Sequence, residues 1–358
     1  MHDRHDVPPK DGILAEASRP AYDLPKRSVS RFVRDTLQVR QPGRRSSVTL
    51  ATLLRPVEPL DVIDALEVRR FRHFSCDETK RRRSLLDWDG FVEILNLYTT
   101  NDVRVTKSGR NVPAEWLRGP SDPLAQDTAE GQPEGSLIDG RRFAELARQG
   151  ISVILNRAEQ KSLMLRALCQ EASDRFGCPA KIGLIATFGA GRALPPHFDT
   201  QDLIVVQLLG AKEWEILGPP RDLPLPRRGG VGDNSLASAC LTMREGDVLA
   251  VPRGLAHRCN AMSPSLHLGI LLSRMRPIGY LRWLVEQAQG LAEFDAPASF
   301  VASRAQRELD ERGLYDAIRR LTGHFPPSAY RQARRRDQIA APVTRGDLPV
   351  PAEDGETS

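Results

Sequence analysis

The chain has 358 residues, 40% of them apolar and 27% charged, with a formal net charge of +5. That balance belongs to a globular protein with a sizeable core, and no apolar run approaches the roughly 20 residues a membrane-spanning helix needs. The opening Met1-His2-Asp3-Arg4-His5-Asp6 carries no apolar stretch of the kind a secretory leader has.

Residues 1–46 are polar, rich in charge and proline, and read as a mobile arm that ends in the loop Gln41-Pro42-Gly43-Arg44-Arg45-Ser46-Ser47. Residues 47–149 are expected to form a helical and strand region that supports a barrel further along the chain. Within it Ser47–Leu54 has the pattern of a short capped helix. A second helix is predicted over Ser84–Leu95, with Asp87 as cap and Phe91, Ile94 and Leu95 on one face. Residues 119–136 are broken by Pro and Gly and predict a surface loop. Ile151–Leu155 reads as a strand. Leu165, Leu168, Ala172 and Phe176 then recur at helical spacing up to a glycine stop at Gly177.

Beyond this the texture turns to short β-rich runs: Lys181–Thr187, Leu203–Leu208, Glu213–Ile216, Val248–Val251 and Leu266–Leu272. Gly210-Ala211 carries a hairpin signal between two of them, and residues 218–240 form a long excursion with Pro and Gly clusters. Many short strands with turn punctuation predict a mainly β chain, a jelly-roll or related barrel over residues 150–275. Residues 276–340 return to helical patterning, with Tyr280–Val285 and Leu309–Leu321 as the main stretches. Residues 341–358 read as a disordered tail. The cysteines Cys76, Cys169, Cys178, Cys240 and Cys259 are scattered without a CxxC pair, which predicts free thiols and a cytoplasmic location. The arginine runs Arg81-Arg82-Arg83 and Arg334-Arg335-Arg336 lack interleaved aromatics. They read as solvated faces, so direct nucleic-acid binding is not expected.

Chemistry concentrates in Pro196-His197-Phe198-Asp199 and, sixty residues after the first histidine, His257. On extended backbone, positions i and i+2 face the same way, so His197 and Asp199 can reach one metal ion. Two imidazoles and one carboxylate suit a divalent iron with open positions left over. An HxD alone is common by chance. The surrounding pieces are what lift it: Thr200 through Trp214 after the first ligands, Glu245-Gly246-Asp247 and Pro252-Arg253-Gly254 before His257, and Ser265-Leu266-His267-Leu268 after it.

In order and spacing these pieces resemble the JmjC-type, cupin-like oxygenases, and within them the ribosomal-oxygenase branch. The resemblance covers about residues 150–275 and implies a double-stranded β-helix core flanked by helical regions at both ends. It implies Fe(II) and 2-oxoglutarate, with dioxygen as the oxidant. His197, Asp199 and His257 would hold the iron. Lys212 would pair with the distal carboxylate of 2-oxoglutarate, Ser265 would donate to the same carboxylate, and Thr187 would line that site.

The physical logic agrees for Lys212, since a dianion inside a barrel needs a fixed cation; the plainer alternative is a solvated turn residue. Asp202 is a candidate acceptor for a metal-bound imidazole or a strand-edge carboxylate, and His267 a core histidine. One departure stands out: relatives often carry a tyrosine twelve residues before the first ligand, and here that position is Ile185.

The implied activity is a hydroxylase acting on a side chain of a protein or peptide, with a ribosomal protein as one substrate class. The alternatives are a tailoring hydroxylase of a small peptide or metabolite, and a cupin that binds metal or ligand without turnover. For the C-terminal helices the resemblance implies a homodimer contact, against the simpler reading of helices packed on the barrel.

Overall fold

A computed structural model describes residues 49–76, 86–118, 136–221, 231, 236–297, 300 and 303–336, all within the compact unit Ser47–Ser358. The N-terminal arm, the Arg81–Arg83 run, nearly all of the 119–136 loop, most of the 218–240 excursion and the tail lie outside the described residues.

The elements run in the order α1 (Leu50–Leu54), α2 (Pro59–Glu67), β1 (Arg72–Phe74), α3 (Trp88–Leu95), β2 (Val103–Lys107), β3 (Arg110–Val112), α4 (Gly140–Arg148), β4 (Ser152–Leu155) and α5 (Leu163–Arg175). The barrel strands follow as β5 (Ala180–Thr187), β6 (Gly191–Arg192), β7 (Asp202–Leu209), β8 (Lys212–Ile216), β9 (Ala239–Met243), β10 (Val248–Val251), β11 (His257–Ala261) and β12 (Ser265–Leu272). Helices α6 (Pro277–Ala288), α7 (Ala292–Asp295), α8 (Arg304–His324) and α9 (Pro327–Arg336) complete the described chain.

The strands form two antiparallel sheets, one ordered β1-β10-β7-β12-β5-β4-β2-β3 and a smaller one ordered β6-β11-β8-β9. This is the expected jelly-roll core with helical flanks. The large sheet is covered on both faces, so β7 is buried at every position and reads as a continuous apolar run. The small sheet is covered on one face only, and β8 alternates buried and half-buried residues from Lys212 to Ile216.

Two apolar cores result. The larger joins Ile204, Val206, Leu266, Leu268 and Ile182 on the outer face of the large sheet to Leu53, Val62, Phe91 and Leu165 of α1, α2, α3 and α5. The smaller lies between the sheets, where Leu203, Val205, Leu249 and Val251 meet Trp214, Ile216 and Met243. Each such aliphatic side chain contributes about 1.5–3 kcal/mol by leaving water.

The helices obey their local signals. Asp87 Oδ1 accepts from the Gly90 N–H at 2.8 Å and starts α3, whose Phe91, Ile94 and Leu95 are buried. Ser162 caps α5, which stops before Gly177 at φ +64°.

One expectation is corrected. Gly210-Ala211 does not close a hairpin, because β7 pairs with β10 and β12 while β8 pairs with β11 and β9. The turn is the corner at which the chain changes sheets. Gly210 sits there at φ +67°, its N–H bonded to Glu245 Oε1 at 2.9 Å, and a Cβ in its place would stand 2.2 Å from the Pro264 carbonyl oxygen. Gly140, by contrast, has open space around it. Gly210→Ala is therefore expected to cost about 2 kcal/mol or more in denaturant unfolding, with Gly140→Ala close to neutral; equal midpoints for the two would refute the corner.

Candidate functional site

His197 does not lie on a regular strand. It forms a single bridge with the first residue of β11: the His197 N–H donates to the His257 carbonyl at 3.0 Å, and the His257 N–H returns the bond at 2.8 Å. Two residues on, the Asp199 carbonyl accepts from the Gly254 N–H at 2.8 Å. The Pro252-Arg253-Gly254 turn is thus stitched to the His197–Asp199 segment. The two imidazole centroids stand 4.6 Å apart, and Asp199 Oδ2 lies 3.9 Å from His257 Nε2. One potential ligand atom from each of His197, Asp199 and His257 falls within 4.8 Å of the others. The structure therefore brings these three sequence candidates together.

The rings are also held in one tautomer. His197 Nδ1 lies 2.9 Å from the Pro195 carbonyl oxygen and His257 Nδ1 lies 3.0 Å from that of Leu255. A carbonyl only accepts, so each Nδ1 carries the hydrogen and each Nε2 keeps its lone pair. Burial pushes the His257 imidazole down to about 4, the His197 ring adds to this, and Asp199 opposes it. At neutral pH His257 is uncharged, as a metal ligand must be.

Asp202 is not the acceptor behind either ring. It takes the Arg253 N–H at 2.9 Å and pairs with Arg274 Nε at 2.6 Å, so it clamps the turn from outside. The two backbone carbonyls orient the imidazoles in its place.

Along the inner face of the small sheet, His257, Cys259 and Ala261 stand opposite Ile216, Trp214 and Lys212. Lys212 is 1% exposed. It is not a solvated turn residue. Its Nζ reaches the Thr187 hydroxyl at 3.4 Å, and no carboxylate pairs with it among the described residues. Burial lowers its pKa to about 8, partly offset by Cys259.

Thr187 and Ser265 are buried cross-strand partners on β5 and β12, and Ser152 on β4 donates to the Thr187 hydroxyl at 3.0 Å. Ser265 Oγ, His267 Nδ1, Gln207 Oε1 and Trp214 Nε1 are buried without a hydrogen-bond partner. So many unsatisfied polar atoms beside an unpaired ammonium would be costly in an apolar core. They fit a polar anionic ligand, and with the three-donor cluster they fit Fe(II) and 2-oxoglutarate.

His267 is neutral, its pKa held well below 6.5 by burial, Lys212 and His257, and it stays outside the three-ligand group. Ile185 faces it across the sheet. Burial raises the Cys259 thiol to about 11 against the pull of Lys212, so the thiol is protonated at neutral pH. Ser152 escapes sequence reasoning; its one signal is a lone hydroxyl inside the otherwise apolar run Ile151–Leu155.

Comparison with known proteins bears on residues 158–277, which match a family model described as JmjC domain. That stretch of the chain is similar to a JmjC domain. The bifunctional lysine-specific demethylase and histidyl-hydroxylase NO66 of Drosophila persimilis is 27% identical over 235 residues, 61% of this chain and 34% of the relative. Ribosomal oxygenase 2 of Bos taurus is 28% identical over 134 residues, 36% of this chain and 28% of the relative. The chain thus spans about a third or less of these curated relatives. The ycfD structure from E. coli aligns with TM-score 0.45 and 13% identity, covering 74% of this chain and 68% of that one.

The buried ammonium of the barrel has a thermodynamic signature. Its proton is held less tightly folded than unfolded, so without ligand it destabilises the fold below pH 8, and stability rises as pH climbs from about 8 towards 10.4. Between about pH 7.5 and 9.5 the wild type should gain about 2 kcal/mol over Lys212→Met in urea unfolding. Parallel pH profiles for the two proteins would contradict the burial of an unpaired lysine.

Proposed function

We propose that the chain is an Fe(II)- and 2-oxoglutarate-dependent oxygenase that hydroxylates an amino-acid side chain of a protein or peptide. A ribosomal protein is the substrate class suggested by the name of one relative, ribosomal oxygenase 2, and a histidine side chain by that of another, the histidyl-hydroxylase NO66. The observation that carries the reading is the unpaired buried ammonium of Lys212 on the same inner sheet face as His257, with Asp199 and His197 gathered at the other end of that face.

His197 Nε2, His257 Nε2 and an Asp199 oxygen are the iron ligands in this reading. Bound iron and keto acid supply the chemistry: dioxygen oxidises an unactivated C–H bond as 2-oxoglutarate loses carbon dioxide to become succinate. The chain's own residues do the placing. The Pro195 and Leu255 carbonyls orient the imidazoles, Lys212 neutralises the distal carboxylate, and the Ser265 and Thr187 hydroxyls bond to it. Ser152 orients the Thr187 hydroxyl. Trp214 shields the His257 ring at 5.3 Å and helps keep water out.

Incubated with Fe(II), 2-oxoglutarate and ribosomal protein, the chain is expected to form succinate and a product heavier by one oxygen. Asp199→Ala should reduce turnover at least about 100-fold, and Lys212→Met should raise KM for 2-oxoglutarate more than it lowers kcat. Full iron occupancy without succinate from any peptide or protein tested would overturn the assignment.

Two further elements belong to this reading. No described helix is long and apolar enough to cross a membrane, and no disulfide joins any of the five cysteines, which fits a reducing cytoplasm. On α6, Ile278, Leu281 and Val285 share one helical face and are 47%, 54% and 63% exposed, a surface suited to a second copy of the chain. Sedimentation is expected to find a dimer for the wild type and a monomer for Leu281→Asp; a monomeric wild type would remove the contact.

A further inference from the structure

A cavity of about 520 Å³ lies where the barrel meets α6 and α9. Seven cationic side chains line it, against the single carboxylate of Glu286. Arg274 is neutralised by Asp202 at 2.6 Å and Glu67 at 3.0 Å, and Arg157 approaches Glu159 at 3.9 Å. The other five, Lys181, Arg253, Arg276, Arg282 and Arg334, form no salt bridge with a described residue. They come from β5, the turn before β11, the residue before α6, α6 itself and α9. Five positive charges gathered in one concavity repel one another, and an anionic occupant relieves that repulsion.

The cavity shares its wall with the metal-ligand cluster. Thr200 and Gln201 line it and directly follow Asp199, while Arg253 precedes Gly254, whose N–H bonds the Asp199 carbonyl. Extended polypeptide advances about 3.3 Å per residue, so a side chain here belongs to a residue a few positions from one presented at the cluster.

A strand of nucleic acid needs an open track along its phosphates. A bounded cavity within the range of about 300–1,000 Å³ suits a discrete group of side chains instead. Guanidinium forks pair bidentately with carboxylates, and Trp283 and Tyr330 offer apolar surface to the methylene stems of glutamate. A lysine- or arginine-rich segment is disfavoured by the same charges.

We propose that this cavity binds aspartate or glutamate side chains flanking the target residue, so that the enzyme selects acidic segments of its polypeptide substrate. The proposal deepens the oxygenase reading and rests on it, but its test reads binding, not turnover. The probe is a fluorescein-labelled hexaglutamate peptide, added to the full chain and followed by anisotropy, with hexalysine and a labelled oligouridylate as comparisons. Hexaglutamate is expected to bind and hexalysine not to. The double variant Arg276→Glu/Arg282→Glu, altered only at exposed positions, should weaken hexaglutamate at least about tenfold and gain affinity for hexalysine.

Succinate formed without peptide, with ascorbate as the reductant that such turnover needs, should be the same in both proteins. No succinate from either protein, with or without peptide or protein substrate, counts against the oxygenase reading alone. Unchanged hexaglutamate binding in the double variant, no hexaglutamate binding by the wild type, or tighter oligouridylate binding that the variant abolishes would each overturn the acidic-segment proposal.

Discussion

Two backbone hydrogen bonds between His197 and His257 are the constraint on which the site depends. They join positions sixty residues apart in sequence and set the two imidazoles on one side of a single antiparallel bridge. Without that bridge the HxD segment would be a loop beside the barrel, free to carry its donors away. The Gly254–Asp199 bond continues the join and brings the third donor into place. Each ring then takes its tautomer from the carbonyl two residues before it, Pro195 for one and Leu255 for the other. The orientation of both rings and the backbone position of Asp199 are therefore held by main chain, which side-chain substitution disturbs least.

The barrel interior is divided. One part is dry and apolar, built from Leu203, Val205, Leu249 and Val251 against Ile216 and Met243. The other holds an ammonium, two hydroxyls from Thr187 and Ser265, a neutral histidine and an indole N–H. An unpaired lysine in such surroundings destabilises the ligand-free fold, so its retention at 1% exposure argues for a recurring anionic guest. Ile185 brings an aliphatic side chain beside His267. The hydroxyl pair Ser152–Thr187 supplies polarity from the neighbouring strand.

Much of this is legible in the amino-acid sequence, and the failures have physical causes. The β7 run, the Asp87 cap and the glycine stop at Gly177 are readable because each rests on local chemistry. Gly210-Ala211 misleads because a turn signal specifies a change of direction and not which sheet receives the next strand. Sequence proximity puts Asp202 near the imidazoles, yet Arg274 draws it outward with a bond of 2.6 Å. The hairpin of β2 and β3 turns on Ser108 and Gly109, both at positive φ, a short and easily missed signal. The basic cavity is hidden in the sequence because its charges are spread from Lys181 to Arg334, and only the last of them belongs to an arginine run. The eye goes to triplets such as Arg81–Arg83, while convergence is a property of the fold.

The two concentrations of positive charge in this chain work under different dielectric conditions. Lys212 is sealed from solvent, where a charge pair is strong and nearly independent of salt. The cavity beside Asp199 is open to water, and Arg276, Arg282 and Arg334 are exposed, so its field is screened within about 8–10 Å at ordinary ionic strength. The inner charge is suited to holding one small dianion tightly in one orientation. The outer charges are too weak individually to anchor anything, but together, under the acidic-segment proposal, they would steer and select among segments arriving at the barrel mouth. Retention of a co-substrate and choice of a polypeptide would then fall to separate parts of the molecule. Substituting the exposed arginines would leave the first undisturbed, because the hydrogen bonds that gather His197, Asp199 and His257 involve none of their side chains.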